Sequence, residues 1–204
     1  MTHRLFPGWF ALLMLLSWSA NGAEPGIEFD LTLGWGDSLA TKVASGPFDT
    51  RLRLDDSRFI GLAALYRLAP RWALGVEIAS DRADLDAFAA LPVRGKIAVE
   101  SLTLNGEYRF DHDRWQPFVG AGLGVARART NGARAATLEF DGDGTFWIAH
   151  LAAGARFKVT EQLSLGAQLR YRFAQEAELR LADRLRVPLD YEKFLALVGL
   201  RLAF

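Results

Sequence analysis

The last eleven residues constrain this chain most. Phe194, Ala196, Val198, Leu200, Leu202 and Phe204 share one parity, and Leu195, Leu197, Gly199, Arg201 and Ala203 the other. The first set is wholly apolar and the second holds a charge and a glycine, so the period is that of a strand and not of a helix. A water-soluble domain has little reason to end on a greasy strand closing with a bare phenylalanine. A strand with one face on hydrocarbon and the other on a crowded, partly polar interior has every reason to.

Seven earlier segments repeat the pattern, over 27–36, 59–68, 72–79, 97–110, 115–129, 146–158 and 163–173. Their outward sets include Ile27, Phe29, Leu31, Leu33 and Trp35, then Trp72, Leu74, Val76 and Ile78, and later Val119, Ala121, Leu123 and Val125. In 97–110, Ile97 and Val99 fall on the parity opposite to Leu102 and Leu104, which predicts a bulge at that end. Short turns are expected at 69–71, 111–114 and 159–162, and long loops at 37–57, 80–96, 130–144 and 174–191. Eight strands with connections alternating long and short predict an all-β fold, an eight-stranded antiparallel up-and-down transmembrane β-barrel.

The start of the chain predicts the route. Arg4, a mostly apolar run over 5–16 and a small, polar stretch to Ala23 have the layout of a signal peptide over 1–23, leaving 24–204 as one barrel domain. No later segment has the ~18 uninterrupted apolar residues of a transmembrane helix. Without the leader, 23 of the 24 basic residues face 24 acidic ones, so nucleic acid is not an expected partner. Cysteine is absent, so an exported fold of this kind is held by backbone pairing and packing alone.

Aromatic placement agrees. With both termini on the periplasmic side, Tyr66, Trp72, Tyr108, Phe110, Trp115, Phe157 and Phe204 fall at the lower rim, and Trp35, Trp147, Tyr171, Phe173 and Phe194 near the upper rim. Amphipathic rings favour such interfaces.

The leader, the Phe-Val-Gly-Ala-Gly-Leu-Gly run of 118–124 and the terminal Leu-Arg-Leu-Ala-Phe of 200–204 make the chain similar to the small outer-membrane barrels typified by the OmpA membrane domain, OmpX and the opacity proteins. The resemblance implies a Gram-negative-type cell outer membrane, and contact with outer-membrane lipid and lipopolysaccharide. It also implies an assembly signal at Leu200, Leu202 and Phe204 that the barrel-assembly machinery reads, and loops that meet host or surface ligands outside the cell. A monomer is expected.

The inward parity collects Glu28, Asp30, Glu77 and Glu107 against Arg67, Arg109, Arg156, Lys158, Arg170, Arg172 and Arg201, with His150 and Gln168 among them. Closure sets the first strand beside the last, which puts Glu28 and Asp30 within reach of Arg201. Glycines 120, 122 and 124 are expected to leave space for long arginines. An eight-stranded barrel has an interior just wide enough for side chains to fill, so these ions predict a plug. The alternative is a narrow, porin-like conduit whose surplus of bases favours anions. A wholly apolar passage is not expected from the patterning.

A lipid A-modifying enzyme is a third reading, but it needs a hydroxyl nucleophile with a positioned base. His112 falls in a predicted turn, and two places beyond His150 stands Ala152, so no catalytic residue is assigned. Asp141-Gly142-Asp143-Gly144 reads as a hairpin turn, because a calcium loop needs further acids; no metal or cofactor site is expected. Arg127, Arg129 and Arg134 are loop arginines that could meet lipopolysaccharide phosphates. A soluble lipocalin-like barrel would require the inverse of these faces.

Overall fold

A computed structural model describes residues 26–38, 41–45, 48–88, 91–110, 113–135, 138–181 and 185–204, with side chains outside 37–56, 84–95, 131–142 and 175–190. Residues 1–23, read from sequence as a signal peptide, and His112 lie outside the described residues. The strands are β1 (Ile27–Ser38), β2 (Thr41–Ser45), β3 (Phe48–Ala69), β4 (Trp72–Phe88), β5 (Leu91–Arg109), β6 (Trp115–Ala135), β7 (Leu138–Lys158), β8 (Leu163–Leu181) and β9 (Leu185–Ala203). Every pairing is antiparallel between neighbours, and β1 pairs with both β3 and β9, so the sheet closes on itself. β2 continues the line of β1 along β3, which makes eight staves.

Paired residues can be followed once round, from Phe157 to Leu165, Leu200, Leu31, Leu62, Ile78, Leu102, Val125 and finally Trp147. The walk leaves β7 at Phe157 and returns to it at Trp147, ten residues away. A stagger of that size over eight staves tilts the strands by roughly 40°.

The faces are those the alternation predicts. Val119, Leu165, Leu200 and Leu202 are exposed on the outer wall, while Glu77 and Arg170 are buried inside. This is the inverse of a soluble lipocalin-like barrel. The outer band ends in rings: Trp72–Tyr108–Phe110 at centroid separations of 4.9 and 5.1 Å and Trp115–Phe157 at 5.2 Å on one rim, and Tyr171–Phe194 at 4.7 Å on the other. Trp35, Trp147 and Phe204 are 64, 67 and 74% exposed, and Tyr66, Tyr108 and Tyr171 half-buried.

The long connections differ from expectation. The segments 37–57, 80–96, 130–144 and 174–191 are mostly strand, continuing the ladders as hairpins, for example Arg53↔Ala87 and Arg134↔Glu139. The 22 residues of β3 run roughly 70 Å, and the tilt leaves about 55 Å of height, twice the ~25 Å apolar band of such barrels. The apolar–polar alternation fades in sequence there because polar residues stand on both parities, as Asp81 and Arg82 do, whereas backbone pairing needs no such pattern. Asp141-Gly142-Asp143-Gly144 accordingly lies within β7 and not at a turn. The turn at 69–71 is where it was expected, with Ala69 paired to Trp72. At 159–162, Leu163 N–H donates to Thr160 Oγ1 at 3.0 Å.

Candidate functional site

The interior is where this chain spends its charges. All ten residues read as a lumen network are buried: Glu28, Asp30, Glu77, Glu107, Arg109, His150, Arg156, Arg170, Arg172 and Arg201. Lys158, expected inward, is instead exposed at the lower turn, since its strand has reached water there.

At the lower end three carboxylates share four guanidinium groups. Glu28 accepts from Arg109 at 2.6 and 2.8 Å, from Arg67 at 2.5 Å and from Arg201 at 3.1 Å. Glu107 accepts from Arg156 at 2.5 and 2.9 Å, from Arg109 at 2.7 Å and from Arg201 at 2.9 Å. Asp30 accepts from Arg201 at 2.6 Å and lies 3.6 Å from Arg156. Arg201 and Asp30 are direct partners across the β1–β9 seam, as closure predicts. The Arg156 guanidinium stacks 3.6 Å over the Phe118 ring. Groups from β1, β3, β5, β7 and β9 thus meet across the lumen, and each pair has further hydrogen bonds to offset desolvation.

Higher up the pairs are separate. Arg170 meets Glu77 at 2.6 and 2.9 Å. Asp81 accepts from Lys193 at 2.7 Å and from Tyr191 Oη at 2.8 Å. Asp81 and Tyr191 were missed because 80–96 and 174–191 read as loops, and Lys193 because it falls just before the closing strand read as starting at Phe194. The parity of Leu195, Leu197 and Arg201, run back two steps, would have found Lys193. Arg172 donates to Ser101 Oγ at 2.6 Å and lies 5.3 Å over Phe59.

Around these pairs the upper lumen is apolar. Phe59, Ala79, Leu195 and Leu197 form one cluster, and Ile97, Val99, Ala126, Ala128, Phe146 and Ile148 are also buried. Ile97 and Val99 share the inward parity of Ser101 and Thr103, and the register is unbroken from Ile97 to Tyr108 against both neighbours, so the expected bulge is not there. Parity misread them because the interior changes from ionic to greasy with height.

The glycines differ as well. A Cβ on Gly124 would meet the Leu102 carbonyl and, at 2.6 Å, Thr103 Cα; one on Gly122 would meet Asn105 Oδ1 and the His150 ring. These positions admit the neighbouring strand and a ring, not arginines, because a narrow barrel bends its staves close together on the inner side.

The space left is small: a lumen cavity of about 40 Å³ beside His150, Gln168 and Arg170, and another of about 10 Å³ by Asp30 and Arg201. Among the described residues His150 Nδ1 has no hydrogen-bond partner, so no described group orients the imidazole as a base. Among the described residues no cluster of three or more His, Cys, Asp or Glu could hold a metal ion.

The outer membrane protein β-barrel domain profile matches residues 9–195. No curated protein matches the chain. In solved structures the fold is similar to neisserial surface protein A at 16% identity, covering 89% of this chain and 98% of that one with a TM-score of 0.55. It is also similar to the outer membrane protein AlkL in lipid bilayers at 18% identity, covering 92 and 95% with a TM-score of 0.55.

Proposed function

The chain belongs to the outer membrane protein β-barrel domain family, and on that premise we propose that it is a closed wall element of a Gram-negative-type outer membrane, with a structural and surface-interaction role. In this reading the segment 1–23 directs export and the barrel-assembly machinery reads Leu200, Leu202 and Phe204. The barrel works as a monomer in contact with lipid and lipopolysaccharide, and the projecting hairpins meet ligands outside the cell.

The observation that carries the closed-wall reading is the lower ion cluster, in which Glu28, Asp30 and Glu107 are each approached by at least two arginines from other strands. Single-channel recording in planar bilayers tests it: no conductance steps are expected, and steady steps would overturn it. A narrow anion conduit is the second reading. Its support is the buried inward surplus of Arg109, Arg156, Arg170, Arg172, Lys193 and Arg201 over Glu28, Asp30, Glu77, Asp81 and Glu107. It requires those steps, with a reversal potential displaced toward chloride. A lipid A-modifying activity has no support from His150, which lacks both an orienting acid and a hydroxyl partner among the described residues.

A further inference from the structure

The upper rim is chemically split. On β7, β8, β9 and β1 its outward residues are aromatic: Trp147, Tyr171, Phe173, Phe194 and Trp35. On β3 to β6 the same level carries no outward aromatic among the described residues. It carries Arg58, Arg82, Arg127 and Arg129, all exposed. Arg127 and Arg129 stand on β6 and not in a loop, whereas Arg134 lies among the residues whose side chains are outside the description.

Arg58 and Arg82 are directly opposite each other across the β3–β4 ladder. Like charges in that position repel, and neither has a carboxylate partner among the described residues. Two carboxylates lie nearby: Asp143 is 2.9 Å from Arg127, and Glu100 is 3.7 Å from Arg129. Among the described residues, four guanidinium groups against these two carboxylates leave the patch cationic.

Directly below it the outer wall is grooved. The groove is about 580 Å³, floored by Ile60, Leu62, Ile78, Leu102 and Val125, with Ser80, Glu100 and Arg127 at its upper edge. An apolar floor with arginines above its edge matches an acyl chain ending in an anionic headgroup. Arg82 on β4 and the β6 arginines flank β5, so they sit roughly 10 Å apart at the usual strand spacing, with Arg58 one strand further out. A lipid such as phosphatidylglycerol offers one phosphate, whereas a bis-phosphorylated glycolipid offers one for each position, and arginine grips such groups through paired N–H donors.

We propose that the β3–β6 face of the rim is a docking site for a bis-phosphorylated outer-leaflet glycolipid, with its acyl chains in the Ile60–Val125 groove and its phosphates on Arg58/Arg82 and Arg127/Arg129. This rests on the reading of the barrel as membrane-embedded and names one lipid contact for it.

The test uses the full barrel in phosphatidylcholine nanodiscs doped with bis-phosphorylated lipid A, its monophosphoryl form or phosphatidylglycerol, with retained lipid counted by native mass spectrometry. The wild type is expected to favour the bis-phosphorylated form about tenfold over the other two, and R58Q/R82Q and R127Q/R129Q each to lose about tenfold of that retention, as befits charge-assisted pairs. Retention by either double variant at the level of the wild type, or wild-type uptake of phosphatidylglycerol equal to that of the bis-phosphorylated form, would overturn the proposal. Heat-modifiable gel migration separates the two failures. If the wild type lacks it, the membrane-barrel reading falls as well; if every variant keeps it while lipid is held without preference, only the docking site falls.

Discussion

The two ends of the lumen solve the same packing problem with different chemistry. At the lower end Glu28, Asp30 and Glu107 face Arg67, Arg109, Arg156 and Arg201, and no buried side-chain atom of these seven residues lacks a partner. In the middle and upper lumen the pairs are isolated among greasy side chains, and partnerless atoms gather there: Asp81 Oδ1, Thr103 Oγ1, Asn105 Oδ1, His150 Nδ1, Arg170 Nε, and Arg172 Nε and Nη1. Buried polar groups are nearly always bonded, so the two ends differ in how far the protein's own described groups serve them. Among the described residues the lower network is fully paired and, in the reading proposed above, shuts the barrel, while the upper lumen is held by apolar packing around polar groups it does not fully serve.

That contrast can be broken most forcefully at Glu107. Changing it to Ala leaves Arg109, Arg156 and Arg201 converging on an empty position, and removing one partner of a buried pair costs about 3–5 kcal/mol. Urea unfolding of the refolded barrel should show a loss of that order, and a change below about 1 kcal/mol would mean the lower cluster is not a network. Leu195, almost fully buried in the Phe59–Ala79–Leu197 cluster, probes the upper end by packing alone. Leu195→Ala should cost about 2–4 kcal/mol by the same measurement, with bilayers still electrically silent because the lower ions remain. New conductance in that variant would place the seal in the wrong half.

Between the two ends, Gly124 tests how closely the staves must approach. An added methyl would press on Leu102 O and Thr103 Cα, which are backbone and cannot swing aside. Gly124→Ala should therefore cost about 1–3 kcal/mol by the same unfolding assay, with heat-modifiable migration kept. A neutral result would mean β5 and β6 have more room than their contacts show.

Period-two alternation made the faces legible from sequence, because hydrocarbon outside and a packed interior treat alternate residues differently. It showed which ions point inward, and closure alone put Asp30 beside Arg201. It could not show that Arg201 also reaches Glu107, since meetings across the lumen depend on a stagger accumulated over every strand. It failed at Ile97 and Val99, where an apolar upper interior makes inside and outside look alike. It also failed over 80–96, where polar residues stand on both parities and the buried Asp81 passed for a loop residue. Arg58 and Arg82 were overlooked because their opposition exists only in the β3–β4 register.

The smallest expected effect sharpens the comparison best. Arg172 is fully buried, donates through Nη2 to Ser101 and lies over Phe59, yet Nε and Nη1 have no partner. Arg172→Met would remove one hydrogen bond and a cation–π contact, together worth about 1–3 kcal/mol. It would also remove a desolvated charge that no described carboxylate meets, and replacing such a group by an apolar side chain is often neutral or stabilising. Methionine is flexible enough to fill the vacated volume beside Phe59. The two sides nearly cancel, so the unfolding free energy should move by less than about 1 kcal/mol, against several for Glu107→Ala. A loss above about 2 kcal/mol would show that the upper lumen relies on its polar groups as the lower one does, and the division between the two ends would have to be abandoned.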